Sequence, residues 1–154
     1  MNIKKFFLFL LFASAAHAQT LAPPTAEISA KPGKVSHGSF QIQNNALQPV
    51  AFTAEYYTVA FDPRGPRYQP IDAGVAVELS QSSGRLGPKE IHRIDYKISC
   101  RALPCAVAIK VGMVTGKTKD GMQVRIILPH FVYLAQSKSP RRDILMAAGL
   151  IQKK

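Results

Sequence analysis

The sequence predicts an all-β, antiparallel sandwich of about seven strands. Three observations carry this expectation. Apolar and polar residues alternate with a period of two in one segment after another, the pattern of strands with one buried face. The segments recur at roughly ten-residue spacing, separated by turn-forming residues. No helical period intervenes before the C-terminal tail.

The N-terminus comes first. Lys4 and Lys5 precede an apolar run at 6–12 (FFLFLLF), and Ala16-His17-Ala18 supplies small residues for cleavage near Ala18. That is the layout of a secretory signal peptide over 1–18. The alternative is a membrane anchor, for which the run is short. The expected address is the periplasm. Residues 19–25 (QTLAPPT) form a Pro-rich leader, expected to be extended and loosely held.

The domain expected over 26–135 begins with a short strand at 26–30. Lys31-Pro32-Gly33-Lys34 makes a turn. In 38–44 (GSFQIQN), Phe40 and Ile42 oppose Ser39, Gln41 and Gln43. The segment 50–61 (VAFTAEYYTVAF) is rich in β-branched and aromatic residues and polar on neither face, so a central strand is expected. Prolines 63, 66 and 70 and Gly65 mark 62–70 as a loop. Val75, Val77 and Leu79 alternate in a further strand, and 80–89 (SQSSGRLGPK) reads as a turn-rich connection. In 90–99, Ile94, Tyr96 and Ile98 oppose Arg93, Asp95 and Lys97. In 105–115, Val107, Ile109, Val111 and Met113 form an inward row.

After a turn at 115–121, the last strand is expected over 122–134 (MQVRIILPHFVYL). Met122, Val124, Ile126 and Leu128 point one way, Gln123 and Arg125 the other. Pro129 has no N–H for a neighbouring strand, which restricts it to a sheet edge or a bulge. Residues 136–154 form a basic tail. A short helix is expected at 143–152, with Pro140 as a first-turn residue after Ser139 and Ile144, Leu145, Ala148 and Ile151 on one face.

Charge and cysteine narrow the function. The chain has 20 Lys+Arg against 9 Asp+Glu, a formal +11 that falls to +9 without Lys4 and Lys5. Such an excess favours anionic surfaces. Nucleic acid is not expected, because there is no Trp and no basic block interleaved with aromatics. The basic tail either lies on an anionic membrane surface or a partner, or is frayed or packed on the domain. Cys100 and Cys105 are the two cysteines, expected to form a structural disulfide in an exported chain. Two cysteines fall short of the four zinc ligands, and their spacing exceeds Cys-x-x-Cys.

Enzyme signatures are missing. Residues 112–118 (GMVTGKT) miss the P-loop spacing by one residue and lead into a strand rather than a helix. There is no Gly-x-Ser-x-Gly elbow and no His-Glu-x-x-His pair. His37, His92 and His130 have no ligand-spaced partners and read as satisfied or solvated. Asp62, Asp72, Glu78, Glu90 and Asp95 show no paired spacing. Neither catalysis nor a cofactor is expected.

Three stretches carry a family resemblance: 38–49 (GSFQIQNNALQP), 84–99 (GRLGPKEIHRIDYKIS, with a Leu86-Gly87-Pro88 turn) and 122–134. Together they resemble the N-terminal immunoglobulin-like (PapD-like) domain of periplasmic pilus-assembly chaperones. The resemblance implies donor-strand binding, in which alternate apolar side chains fill a groove in a client protein while the backbone completes its sheet. The matching positions are Met122, Val124, Ile126 and Leu128. The other reading of these four is that they line this domain's own core. The family's carboxylate anchor, an Arg in the first strand and a Lys late in the last, has no counterpart at 26–30 or 130–134. The expected function is a chaperone-like module engaging an exported client. The alternative is a structural or adhesive sandwich in a cell-envelope assembly.

Overall fold

A computed structural model describes residues 19–117 and 120–152. The expected signal peptide and its cleavage site lie outside the described residues, as do Thr118 and Lys119 of the turn before the last strand. Ten strands and one helix follow in order: β1 (Thr20–Ala22), β2 (Thr25–Ser29), β3 (Ser36–Gln43), β4 (Val50–Asp62), β5 (Gly65–Gln69), β6 (Val75–Leu79), β7 (Ser83–Leu86), β8 (Ile91–Cys100), β9 (Cys105–Thr115), β10 (Arg125–Ala135) and α1 (Pro140–Ala147).

The strands form two sheets packed face to face. One has the order β1-β3-β8-β6. The other runs β2-β10-β9-β4-β5, with β7 also paired to β4. The predicted alternation places the inner faces. Phe40 and Ile42 of β3, Ile94, Tyr96 and Ile98 of β8, and Val107, Ile109, Val111 and Met113 of β9 are all buried in one core. β4 is central, as its composition suggested, with β9 along one side and β5 and β7 along the other.

The three strands beyond the expected seven are β1, β5 and β7. The leader is not loose. β1 pairs with β3, Gln19 is buried, and its amide donates to the Asn44 side chain at 3.2 Å. The expected loop at 62–70 is a hairpin arm. Asp62 pairs with Gly65, and its carboxylate caps the turn by accepting from the Arg64 N–H at 2.8 Å. Pro66 is tolerated because β5 is an edge strand. The expected connection at 80–89 contains β7, whose Leu86 enters the core opposite Val50.

Two ends shift as well. The last strand begins at Arg125 rather than Met122, although the Thr115 N–H still donates to the Val124 carbonyl at 3.1 Å. The helix begins at Pro140 and ends at Ala147. Gly149, at φ 71°, turns the chain where a helix over 143–152 would have continued.

Candidate binding edge

The hydrogen bonds fix which way each residue of β10 presents its backbone. Val124 bonds toward β9, so by alternation the even-numbered residues of β10 do too. The odd-numbered residues present N–H and C=O outward. The Phe131 N–H donates to the Pro24 carbonyl at 2.9 Å, and the Ala135 carbonyl accepts from the Ala30 N–H at 2.8 Å. There β2 runs parallel to β10 and covers Phe131–Ala135.

Upstream of Phe131, no described strand pairs with that side of β10. The outward groups left open are the N–H and C=O of Arg125 and Ile127 and the C=O of Pro129. The position of the proline follows. Its missing donor lies on the open side, so the ladder to β9 loses nothing, and the edge is blunted at that point.

The four residues singled out by the resemblance differ in cover. Leu128 packs against the core and Ile126 is half-buried opposite Met113. Met122 and Val124 precede the strand and are 63% and 45% exposed. Ile127, on the outer side, is 54% exposed. The same end of the sandwich carries exposed Leu47 and Ile91, since Val50 pairs with Thr115 and Asn44 bonds back to Glu90 across the β3–β8 end. Exposed apolar side chains gathered at one end of a domain are candidates for an interaction site.

The outer side of the edge is basic and aromatic. Arg125 lies over Gly112, where an added Cβ would come within 3.1 Å of its guanidinium. The Lys110 ammonium sits 3.3 Å from the Tyr68 ring centroid and 5.0 Å from that of Tyr57. The Tyr57 hydroxyl donates to Glu55 at 2.8 Å.

His130 closes the open segment from inside. It is fully buried and stacks on Phe40 at 4.8 Å. Its Nδ1–H donates to the Pro23 carbonyl at 2.7 Å, which can only accept. Nε2 is therefore the acceptor for the Tyr96 hydroxyl, at 3.2 Å. Burial lowers the His130 pKa below its ordinary value, and the hydrogen bond to Pro23 opposes this in part. Burial pushes Tyr96 up to about 12. The sequence reads His130, like His37 and His92, as satisfied or solvated, and it is satisfied at both ring nitrogens; its place among three elements is what the sequence does not show. The signal that would have found it is its parity with Ile126 and Leu128, which puts an imidazole on the inner face. His37 is exposed on β3, and His92 is half-buried with its ring 5.7 Å from Phe52.

At the far end, Cys100 and Cys105 are disulfide-bonded and join β8 to β9. Among the described residues, no His, Cys, Asp and Glu side chains group to hold a metal ion, and no helix is long and apolar enough to cross a membrane.

No family model matches the sequence, and no curated protein matches it. Solved structures do match its fold. The PapD-like domain 7 of human CEP192 aligns with a TM-score of 0.53 at 13% identity, over 79% of this chain and 88% of that one. The class 5 fimbriae chaperone CfaA aligns at 0.55 and 12%, over 78% and 57%. The chaperone-tip adhesion subunit complex CsuC-CsuE of Acinetobacter baumannii aligns at 0.52 and 14%, over 81% and 58%. The chain thus spans somewhat over half the length of the pilus chaperone chains it matches. The fold is PapD-like and immunoglobulin-like.

Proposed function

We propose that this protein is an exported, chaperone-like binding module that engages a client protein through the open edge of β10. The observation that carries this reading is the coincidence of unpaired backbone at Arg125–Pro129 with exposed apolar side chains on both sides of it. An extended client segment pairs with the N–H and C=O of Arg125 and Ile127 and donates to the Pro129 carbonyl. Of the four positions Met122, Val124, Ile126 and Leu128, the first three then fill a groove in the client, as a donor strand does, while Leu128 stays packed on this domain's core. Met122 and Val124 are already 63% and 45% exposed, so burying what remains contributes about 0.7–2 kcal/mol each without opening this domain's own core. The matched fold of chaperones solved with tip or pilin subunits supports the reading. The disulfide suits the oxidising periplasm that the N-terminal sequence indicates.

A photo-crosslinker at Ile126, with exposed Gln81 as control, tests it in cells. Capture of a discrete exported protein at Ile126 but not at Gln81 is expected. Equal or absent capture at both positions refutes it.

A second reading, a structural part of an envelope assembly, draws on the opposite end. There Lys31, Lys34, Lys138, Arg141 and Arg142 follow the paired ends of β2 and β10 in sequence, and none of the described salt bridges involves them. These would meet an anionic membrane surface. Cell fractionation separates the two readings. The chaperone is recovered soluble from the periplasm, and the structural part stays with the envelope fraction through high salt.

A further inference from the structure

β1 and β2 are one continuous arm that crosses between the sheets. β1 pairs with β3 of one sheet, and three residues later β2 pairs with β10 of the other. The joint is Pro23-Pro24. Pro23 lends its carbonyl to His130, and Pro24 lends its carbonyl to the Phe131 N–H. His130 therefore stands at the boundary between the open half of β10 and the half that β2 covers. Three elements meet its ring: Phe40 from β3, Tyr96 from β8 and Pro23 from the joint. Tyr96 is the one ionisable group among them and stays neutral through the range in which histidine titrates. Among the described residues, no carboxylate is bonded to the ring to stabilise an added charge.

We infer that the β1–β2 joint is an acid-sensitive strap, in which protonation of His130 favours release of β2 from β10 and lengthens the open edge from Arg125–Pro129 to Arg125–Ala135. The neutral ring satisfies both neighbours at once, donating to Pro23 and accepting from Tyr96. The imidazolium has a donor at each nitrogen. Its Nε2–H then faces the Tyr96 hydroxyl, which must turn its own proton away into the core, where an unpaired donor is unfavourable. The added charge strengthens the bond to Pro23, but desolvation is the larger effect, and moving the arm off lets water reach the ring through the joint. Release frees the outward groups of Phe131, Tyr133 and Ala135 and leaves the β9–β10 ladder in place. Each pKa unit by which the buried ring lies below the released one multiplies the released fraction at low pH by about ten. The strap rests on the contacts of His130 alone and holds whatever the edge binds.

Amide hydrogen exchange on the mature chain tests it, at about pH 7.5 and about pH 5.0 with intrinsic rates corrected. Protection of Phe131 and the β2 amides is expected to fall at the lower pH, by about tenfold per unit of His130 pKa shift. The amides of β8 and β9 keep theirs. In His130→Gln, whose amide donates and accepts without titrating, the difference between the two conditions disappears. Unchanged β2 protection overturns the strap. So does a fall of equal size in the variant, or one shared equally by β8 and β9. If the variant does not fold, NMR titration of the native His130 ring decides. A midpoint below about 6.5 that coincides with the loss of Phe131 protection supports the strap. A midpoint at or above that value, or one that does not coincide, overturns it.

Discussion

Replacing Gly38 by alanine tests the packing that holds His130 in place. Gly38 of β3 pairs directly with Tyr96 of β8. The Tyr96 ring lies across the bare backbone of Gly38, an arrangement in which an aromatic side chain covers a strand glycine. A Cβ at position 38 would come within 2.2 Å of the Tyr96 hydroxyl oxygen and 2.3 Å of the ring carbon that bears it. Those distances force the ring to move, and it is fully buried. Overpacking of this kind costs about 1–3 kcal/mol. Displacing the hydroxyl also removes its hydrogen bond to His130, about another 0.5–1.5 kcal/mol. A total near 3 kcal/mol lowers the Tm by about 10 °C for a domain of this size. Urea denaturation with intrinsic fluorescence, together with a calorimetric scan, measures both quantities. Gly116→Ala is the control, because nothing lies within 4 Å of its added Cβ. A Gly38→Ala protein within about 0.5 kcal/mol of the parent would show that Tyr96 is not held where the structure places it. The link from β8 through His130 to Pro23 would fail with it.

Other expectations concern the edge, acid stability and the disulfide. Val124→Ser changes stability by less than about 0.5 kcal/mol yet abolishes client capture. Leu128→Ser, which empties a core contact, costs about 2 kcal/mol or more in the same denaturation assay. Equal effects on stability would mean that Val124 is a core residue and not an open one. The His130 pKa is lowered in the fold, so below about pH 6.5 the unfolded chain takes up the proton more readily. Its contribution to stability is complete above that pH and is lost as the pH falls toward the folded value; a series of urea midpoints from pH 8 to 5, compared with His130→Gln, measures it. Thiol titration of denatured, unreduced protein finds no free cysteine, and reduction lowers stability by about 2 kcal/mol, the value for so small a loop.

Most of the seven expected strands are legible from their alternation, and β4 from its β-branched and aromatic composition. In β8, for instance, Ile94, Tyr96 and Ile98 declare the buried face against Arg93, Asp95 and Lys97. The three that escaped are too short or too irregular to show a period. β1 has three residues, β5 contains Gly65 and Pro66, and β7 contains Gly84. Their strand conformation comes from neighbours distant in sequence, as when Leu86 finds Val50 and the core behind it. The same holds for the site. Pro129 restricts its position to a sheet edge or a bulge from sequence alone; β10 lies between β2 and β9, and the proline falls in the stretch that β2 leaves uncovered. Which stretch of β10 is open depends on where β2 stops, and nothing local to 122–134 encodes that.

The placement of Pro129 beside His130 gives the open segment a limited length at neutral pH. A partner strand finds full donor and acceptor pairs at Arg125 and Ile127, then a carbonyl without an N–H at Pro129, and beyond it the β2 strand itself. Any pairing carried past Ile127 loses a hydrogen bond at the proline, which discourages long edge-to-edge association between copies of this chain. On the proposed reading, affinity for a client rests less on backbone bonds than on apolar side chains, and these are concentrated at the near end, in Met122, Val124 and Ile127. The expected consequence is a short recognised segment whose own alternate residues are apolar. Crosslinks should therefore map from position 122 to position 128 and stop there. Crosslinks appearing at Phe131 and Tyr133 only under acid would be the functional trace of the strap.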